Sequence, residues 1–404
     1  MKNDPKNFSL GVPLAFPSAW VRVMDETIPA FVKEHFSPTE SWKTKPFDKE
    51  DVNFFAKGLI ELSDFFTEDR MDKKLPNYFT TGRFRSSYFL YFFGLQAAKF
   101  LTLFDRYPQA IEAALDHAVE TGTLRIIDVG SGPGTASLAL LVFLLDGMRD
   151  PKEPKQILPF SIELVWVDHN ETIMKDGEKL LGKILQLFPD LEGDISVKRE
   201  TRSWWKHPKD FNFQGSLVLF GNVLNESHSD PRIYLEGLAP FLKNPKGGGV
   251  LILEPAFKIA SQRVSQIRDE VVTSEDWKLP IWGPCFHTSK CPLGEGRDWC
   301  HFSVPSALPG KIFKKFSVKL GSVREWLKFS FIWFAEKDSK LAKKQPKDLV
   351  RVISDPLRTR DGKMMNQICR PERFEYHPTP KKPLHRGDVI RDPVLQSSHK
   401  KNRY

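Results

Sequence analysis

Cysteine is scarce in this sequence: four in 404 residues, and none before position 285. A small secreted scaffold stapled by disulfides is thereby excluded, because such frameworks need dense cysteines in a short chain. Long hydrophobic runs are also absent. No stretch reaches the about eighteen apolar residues that span a bilayer, and the longest, Ala136–Leu145, follows a glycine loop and reads as a buried helix. The first thirty residues lack the basic-then-apolar order of a signal peptide, and Asp4, Asp25 and Glu26 argue against a transit peptide. A soluble, monomeric cytoplasmic protein with no membrane association is the expectation. Internal repeats are missing.

What is present is core material and an uneven charge. Hydrophobic residues make up 40% of the chain, with 32 Phe and 10 Trp, so global disorder is excluded. The length suits two or three domains. Net charge is +9, yet Lys340–Tyr404 alone carries 17 Lys and Arg against 7 Asp and Glu, which leaves the rest close to neutral. A neutral body with a basic tail fits a polyanion partner such as nucleic acid, or a tail that only solubilises.

The pattern along the chain divides into four regions. Residues 1–120 read as helical, with Asp51–Phe66 amphipathic and Ser86–Thr102 apolar nearly all round, hence buried. Residues 121–273 alternate strand, loop and helix, with short apolar strands at Arg125–Val129, Glu163–Val167, Ile195–Lys198, Ser216–Phe220 and Gly249–Leu253. Strands of this kind belong to an α/β doubly wound parallel sheet covered on both faces. Residues 274–339 hold a proline-rich insertion, Ser274–Pro309, then Lys328–Ala335, a late strand that completes the sheet. A loop that long is functional or tethered. Residues 340–404 offer strand-like pieces at Leu349–Ile353, Met364–Cys369 and Arg373–His377, a small β appendage with a frayed end near Gln396–Tyr404.

Chemistry concentrates at Arg125–Thr135, RIIDVGSGPGT. A strand runs into Asp128, glycines follow at 130, 132 and 134 around Ser131, and a helix begins. Glycines let the backbone turn tightly and approach a ligand, and a helix N-terminus presents free N–H groups. The third glycine comes one residue too early for a dinucleotide fingerprint. The loop resembles motif I of class I S-adenosylmethionine-dependent methyltransferases. In that setting Asp168, ending the next strand, is placed to hold ribose hydroxyls; the plainer role for it is a helix N-cap. Asp128 either orients the loop or is a buried structural carboxylate. Asn222, with Asn225 and Glu226 behind it, contacts ligand or serves as a turn residue. The Asn/Asp/Ser-Pro-Pro-aromatic motif of base-amino methyltransferases is absent there, as is a nucleophilic cysteine. No catalytic base can be named.

The four cysteines follow C-x5-C-x8-C-x68-C spacing, at Cys285, Cys291, Cys300 and Cys369. Paired C-x2-C knuckles and the C-x3-C-x2-C radical signature are both absent. An iron–sulfur cluster, a zinc site and free thiols all stay open on spacing alone.

Pro284-Cys285, Cys291-Pro292 and Asp298-Trp299-Cys300-His301-Phe302, following the VGSGPGT loop and the YFLYFFGLQAAK helix at Tyr88–Lys99, resemble the methyltransferase-like proteins of the mitochondrial small ribosomal subunit and their bacterial relatives. The likeness runs from about Tyr88 to Asp392. It implies a small-subunit assembly factor that binds small-subunit rRNA, the pre-small subunit and S-adenosylmethionine. It also implies a 4Fe–4S cluster on Cys285, Cys291, Cys300 and Cys369, with a bacterial-type chain lacking a transit peptide. The alternatives are an active rRNA methyltransferase, and a small-molecule or protein methyltransferase with a structural zinc.

Overall fold

A computed structural model describes residues 8–67, 78–205, 211–224 and 231–393, apart from 151, 154, 244, 295, 307, 322–324, 344–345 and 347. Asn225, Glu226 and the end beyond Pro393 lie outside the described residues.

The centre is an eight-stranded sheet. Its strands are β1 (Thr123–Val129), β2 (Ser161–Asp168), β3 (Ile195–Thr201), β4 (Leu217–Gly221), β5 (Val250–Pro255), β6 (Ile281–Gly283), β7 (Phe302–Pro305) and β8 (Trp326–Phe334). They are ordered β3-β2-β1-β4-β5-β8-β6, with β7 also on β8. The first five pair in parallel, and β8 runs antiparallel to β5. The order reverses beside β1, so the carboxyl ends of β1 and β4 open a crevice, the usual ligand position in such sheets. This is the class I methyltransferase Rossmann-like fold. β8 closes the sheet as the late strand was expected to do. The short β6 and β7 were not foreseen: three or four residues are too few for a periodic signal, and their pairing with β8 defines them.

Alternation along the strands sorts side chains into two cores. Leu124, Ile126 and Leu164 face the N-terminal helices, whereas Ile127, Val129 and Val165 face the other layer. The first core also takes Trp20, Phe31, Phe89 and Phe93, together with Leu349 and Val389 of the appendage. The aromatic segment folds as expected into a buried rod, Gly82–Ser87 running through one π turn at Tyr88–Phe92 into α1 (Phe93–Arg106). Asp51–Phe66 lies inside a longer helix, Lys49–Thr67. Helix α2 (Thr135–Gly147) follows the glycine loop, α3 (Glu171–Leu185) follows β2, and α4 (Lys258–Thr273) follows β5.

The appendage pairs β9 (Leu349–Arg351) with β13 (Val389–Arg391). Beside them, β10 (Leu357–Arg358), β11 (Met364–Arg370) and β12 (Arg373–Pro378) form a three-stranded antiparallel sheet. Val350, Val352 and Ile368 make its small core.

Candidate functional site

The loop after β1 turns through three left-handed glycines, with φ of 65° at Gly130, 53° at Gly132 and 75° at Gly134. At Gly134 a side chain is also excluded by packing, since a Cβ would lie 2.3 Å from Trp166. The Trp166 indole in turn donates to Ser137 Oγ at 2.8 Å. Asp128, wholly buried, accepts from the Ser137 N–H at 3.0 Å and its hydroxyl at 2.8 Å. It thereby ties β1 to the first turn of α2. Burial raises its pKa to about 7, against the lowering effect of those bonds.

Asp168 stands at the carboxyl end of β2, beside the loop. Its Oδ2 accepts from the Gly132 N–H at 2.9 Å and its Oδ1 from the Asn170 N–H at 2.8 Å. Burial pushes its pKa up as well. The cap of α3 is Asn170, whose Oδ1 accepts from the Ile173 N–H at 3.1 Å. The capping role thus falls two residues past the strand-end acid.

These groups edge a cavity of about 720 Å³. Asp128, Gly130, Ser131, Gly132, Asp168 and Asn222 all line it; Gly134 does not, being taken up under Trp166. Asn222 holds a left-handed backbone, φ 57°, and its buried Oδ1 has no hydrogen-bond partner among the described residues. A buried acceptor left so costs about 1–3 kcal/mol, and here it borders the cavity. Tyr88, Gln96 and Lys99 close one side from the helical rod, and Arg202, Trp205 and Trp326 stand at others. Sequence reasoning missed all six as lining residues. For Tyr88, Gln96 and Lys99 the signal was there, in a rod too apolar to be anything but a lid on the sheet; Arg202, Trp205 and Trp326 gave none.

The cysteines gather on the other side of β8. Cys285 and Cys291 follow β6, Cys300 precedes β7, and Cys369 comes from β11. Burial first, then the charge of the other cysteines, raises the pKa of Cys300 and Cys369 far above the usual thiol range. The same two causes bring Cys291 up to about 11. The Cys369 Sγ lies 3.3 Å from His287 Nε2. Around the thiols, Asp269 accepts from the Cys291 N–H at 2.9 Å, and Arg268 donates to the His287 carbonyl at 2.6 Å. Arg351 donates to the Pro284 carbonyl at 2.7 Å. Among the described residues, no three His, Cys, Asp or Glu side chains converge as a single metal ion requires. A tetrahedral zinc, with Zn–S of about 2.3 Å, needs its sulfurs under about 4 Å apart.

Strand order and the loop after β1 define a class I methyltransferase-type fold. Residues 156–389, more than half of the chain, match the family described as mitochondrial small ribosomal subunit Rsm22, and the chain belongs to that family. No curated protein matches it. Among solved structures, EvdMO1 is 13% identical over 37% of this chain and 29% of its own, TM-score 0.19. Small RNA methyltransferase HEN1 is 14% identical over 57% of this chain and 26% of its own, TM-score 0.25. The chain thus spans under a third of the length of either. A class I S-adenosylmethionine-dependent methyltransferase from Listeria monocytogenes is 10% identical over 82% of this chain and 90% of its own, TM-score 0.32.

Proposed function

We propose that this chain is a small-ribosomal-subunit assembly factor that binds rRNA and S-adenosylmethionine and carries a 4Fe–4S cluster. Membership of a small-subunit family is the observation that carries the assembly role. The cofactor reading is supported by the orphaned Asn222 Oδ1 and by Asp168 beside the left-handed loop, a cradle that Cβ atoms would disturb. Gly130, Ser131, Gly132 and Asn222 would receive the methionine part, and Asp168 the ribose, with Asp128 and Gly134 holding the loop. When bound, this cofactor supplies an electrophilic methyl group. For the metal, Cys285, Cys291, Cys300 and Cys369 are the donors. Four half-buried thiols not drawn to one point suit a multi-iron cluster better than a single zinc ion. Binding would release the protons that burial now keeps on Cys291, Cys300 and Cys369.

An active rRNA methyltransferase is the second reading, because the cavity extends beyond the loop to Trp326 and Lys328 of β8. Incubation with labelled S-adenosylmethionine and pre-small subunits decides between them. Co-sedimentation without label in the rRNA is the expected result, and label in the rRNA selects the second. Failure to co-sediment defeats both. Anaerobic reconstitution should give brown protein with about four iron and four sulfide per chain; colourless protein with one zinc would defeat the cluster.

A further inference from the structure

We propose that the outward face of β12, around Phe374 and Tyr376, is a base-stacking site for single-stranded RNA, an inference that rests on the rRNA-binding reading above. β12 is an edge strand, paired only with β11. Strand alternation puts Phe374 and Tyr376 on one face, in register with Cys369 and Gln367 of β11. The opposite face, with Asn366 and Ile368, is buried against the appendage core. On this face Cys369 turns in toward His287, while the two rings on the edge strand stay open: Phe374 is 38% exposed and Tyr376 55%. Their centroids lie 6.2 Å apart, and Gln367 Nε2 donates to the Tyr376 hydroxyl at 3.2 Å, holding that ring in place.

An open apolar face says little about its occupant; the charge around it says more. Arg358, Arg360, Lys381 and Lys382 are exposed, and none forms an ion pair among the described residues. The neighbouring acids are engaged: Asp361 with Lys363 at 2.7 Å, Glu375 with Arg370 and Arg373, and Asp355 with His385 at 3.6 Å. Among the described acids of this sheet, Glu372 in the hairpin turn lacks such a partner. Arg358 sits in register with Met364, and the Thr379 N–H donates to the Met364 carbonyl at 2.9 Å. The strand leading to Lys381 and Lys382 thus meets Arg358 at one end of the sheet. Open rings run toward a group of unpaired cations. A single strand matches both features, since its phosphates meet the cations and its unstacked bases present π-faces to the rings. An acidic peptide would answer the cations and leave the rings unused, and a duplex keeps its bases stacked.

The test uses anaerobically purified full-length protein and fluorescence anisotropy. The probes are a single-stranded oligouridylate of about twelve nucleotides, within the usual site sizes, a duplex of equal length and a small-subunit rRNA transcript. The pair Phe374→Ala and Tyr376→Ala should weaken single-strand binding about tenfold or more, leaving duplex binding and the salt slope unchanged. The pair Phe374→Trp and Tyr376→Trp, which keeps stacking without the hydroxyl, should retain affinity. Lys381→Glu with Lys382→Glu should instead lower affinity for single strand and duplex alike and flatten the salt dependence. Wild-type affinity in the alanine pair, with salt-sensitive rRNA binding intact, overturns the stacking site alone. Wild-type protein that binds neither the oligonucleotide nor the rRNA overturns the RNA reading with it.

Discussion

Arg351 is the side chain whose loss should cost the fold most per atom removed. It is 3% exposed and donates to four acceptors drawn from distant parts of the chain. They are the carbonyls of Pro284 at 2.7 Å, Phe8 at 3.1 Å and Gly387 at 2.8 Å, and the Tyr107 hydroxyl at 3.1 Å. The guanidinium also lies 5.3 Å from the Phe286 ring and 5.7 Å from that of Phe302. Arg351→Met keeps a stem of similar length and strands three of the four acceptors, the Gly387 carbonyl keeping the Leu10 N–H. A buried acceptor without a donor costs about 1–3 kcal/mol. Partial relaxation and entry of water should bring the total to about 3–5 kcal/mol, the range for breaking a buried charged network. Guanidinium unfolding should show that loss. Hydrogen exchange should show where it falls, because the Leu10 amide, which donates to the Gly387 carbonyl, should lose protection before β1 does. Arg351→Lys, with charge but a single donor point, should fall between. A midpoint shift worth under about 1 kcal/mol in Arg351→Met, with Leu10 exchange unchanged, would refute the reasoning.

Asp168→Ala should lower affinity for S-adenosylmethionine about tenfold or more in calorimetry, through lost charge-assisted bonds to ribose; unchanged affinity removes it from the site. Gly134→Ala should destabilise by about 2–4 kcal/mol, from left-handed backbone strain plus the clash with Trp166. Gly182→Ala, inside α3 with open space at its Cβ position, should stabilise by about 0.5–1 kcal/mol. Asp128 has a folded pKa raised to about 7, so its contribution is whole below the ordinary carboxylate value and lost as pH rises through 7. Asp128→Asn should flatten the fall in wild-type stability between about pH 4 and pH 7; an unchanged profile by thermal melts would place that fall elsewhere.

The sheet was legible because parallel strands buried on both faces are continuous apolar words, as in RIIDV and LVWVD. The loop was legible because left-handed turns demand glycine. Two things were not. The all-round apolar rod announced a lid on the sheet, but that Tyr88, Gln96 and Lys99 are the residues it turns to the cavity depends on how the rod lies across the strands. The tail's charge was countable but its use was not. Arg351, Arg370 and Arg386 are nearly as buried as core residues, and Arg386 donates to Asp298 at 2.9 Å and the Trp299 carbonyl at 3.1 Å. Arg391 pairs with Asp348. A sum over residues treats such charges as free, while Arg351 and Arg386 brace the cysteine segment and Arg370 and Arg391 are held by acids of the appendage itself. Among the described residues of the tail the exposed cations without an ion pair are fewer: Lys340, Arg358, Arg360, Lys381 and Lys382.

The hydroxyl of Ser9 donates to Asp388 across 379 positions of sequence. Protein synthesis therefore delivers one half of that contact long before the other. At about 5–20 residues per second, the segment around Ser9 waits about 20–80 s for its partner to leave the ribosome. The Rossmann sheet can form in that interval, since its strands end at Phe334. Phe8, Leu10 and the Tyr107 hydroxyl cannot settle until Arg351 and Gly387 have been made. A nascent chain stalled or cleaved before Gly387 would carry a finished cavity and an unlatched amino terminus.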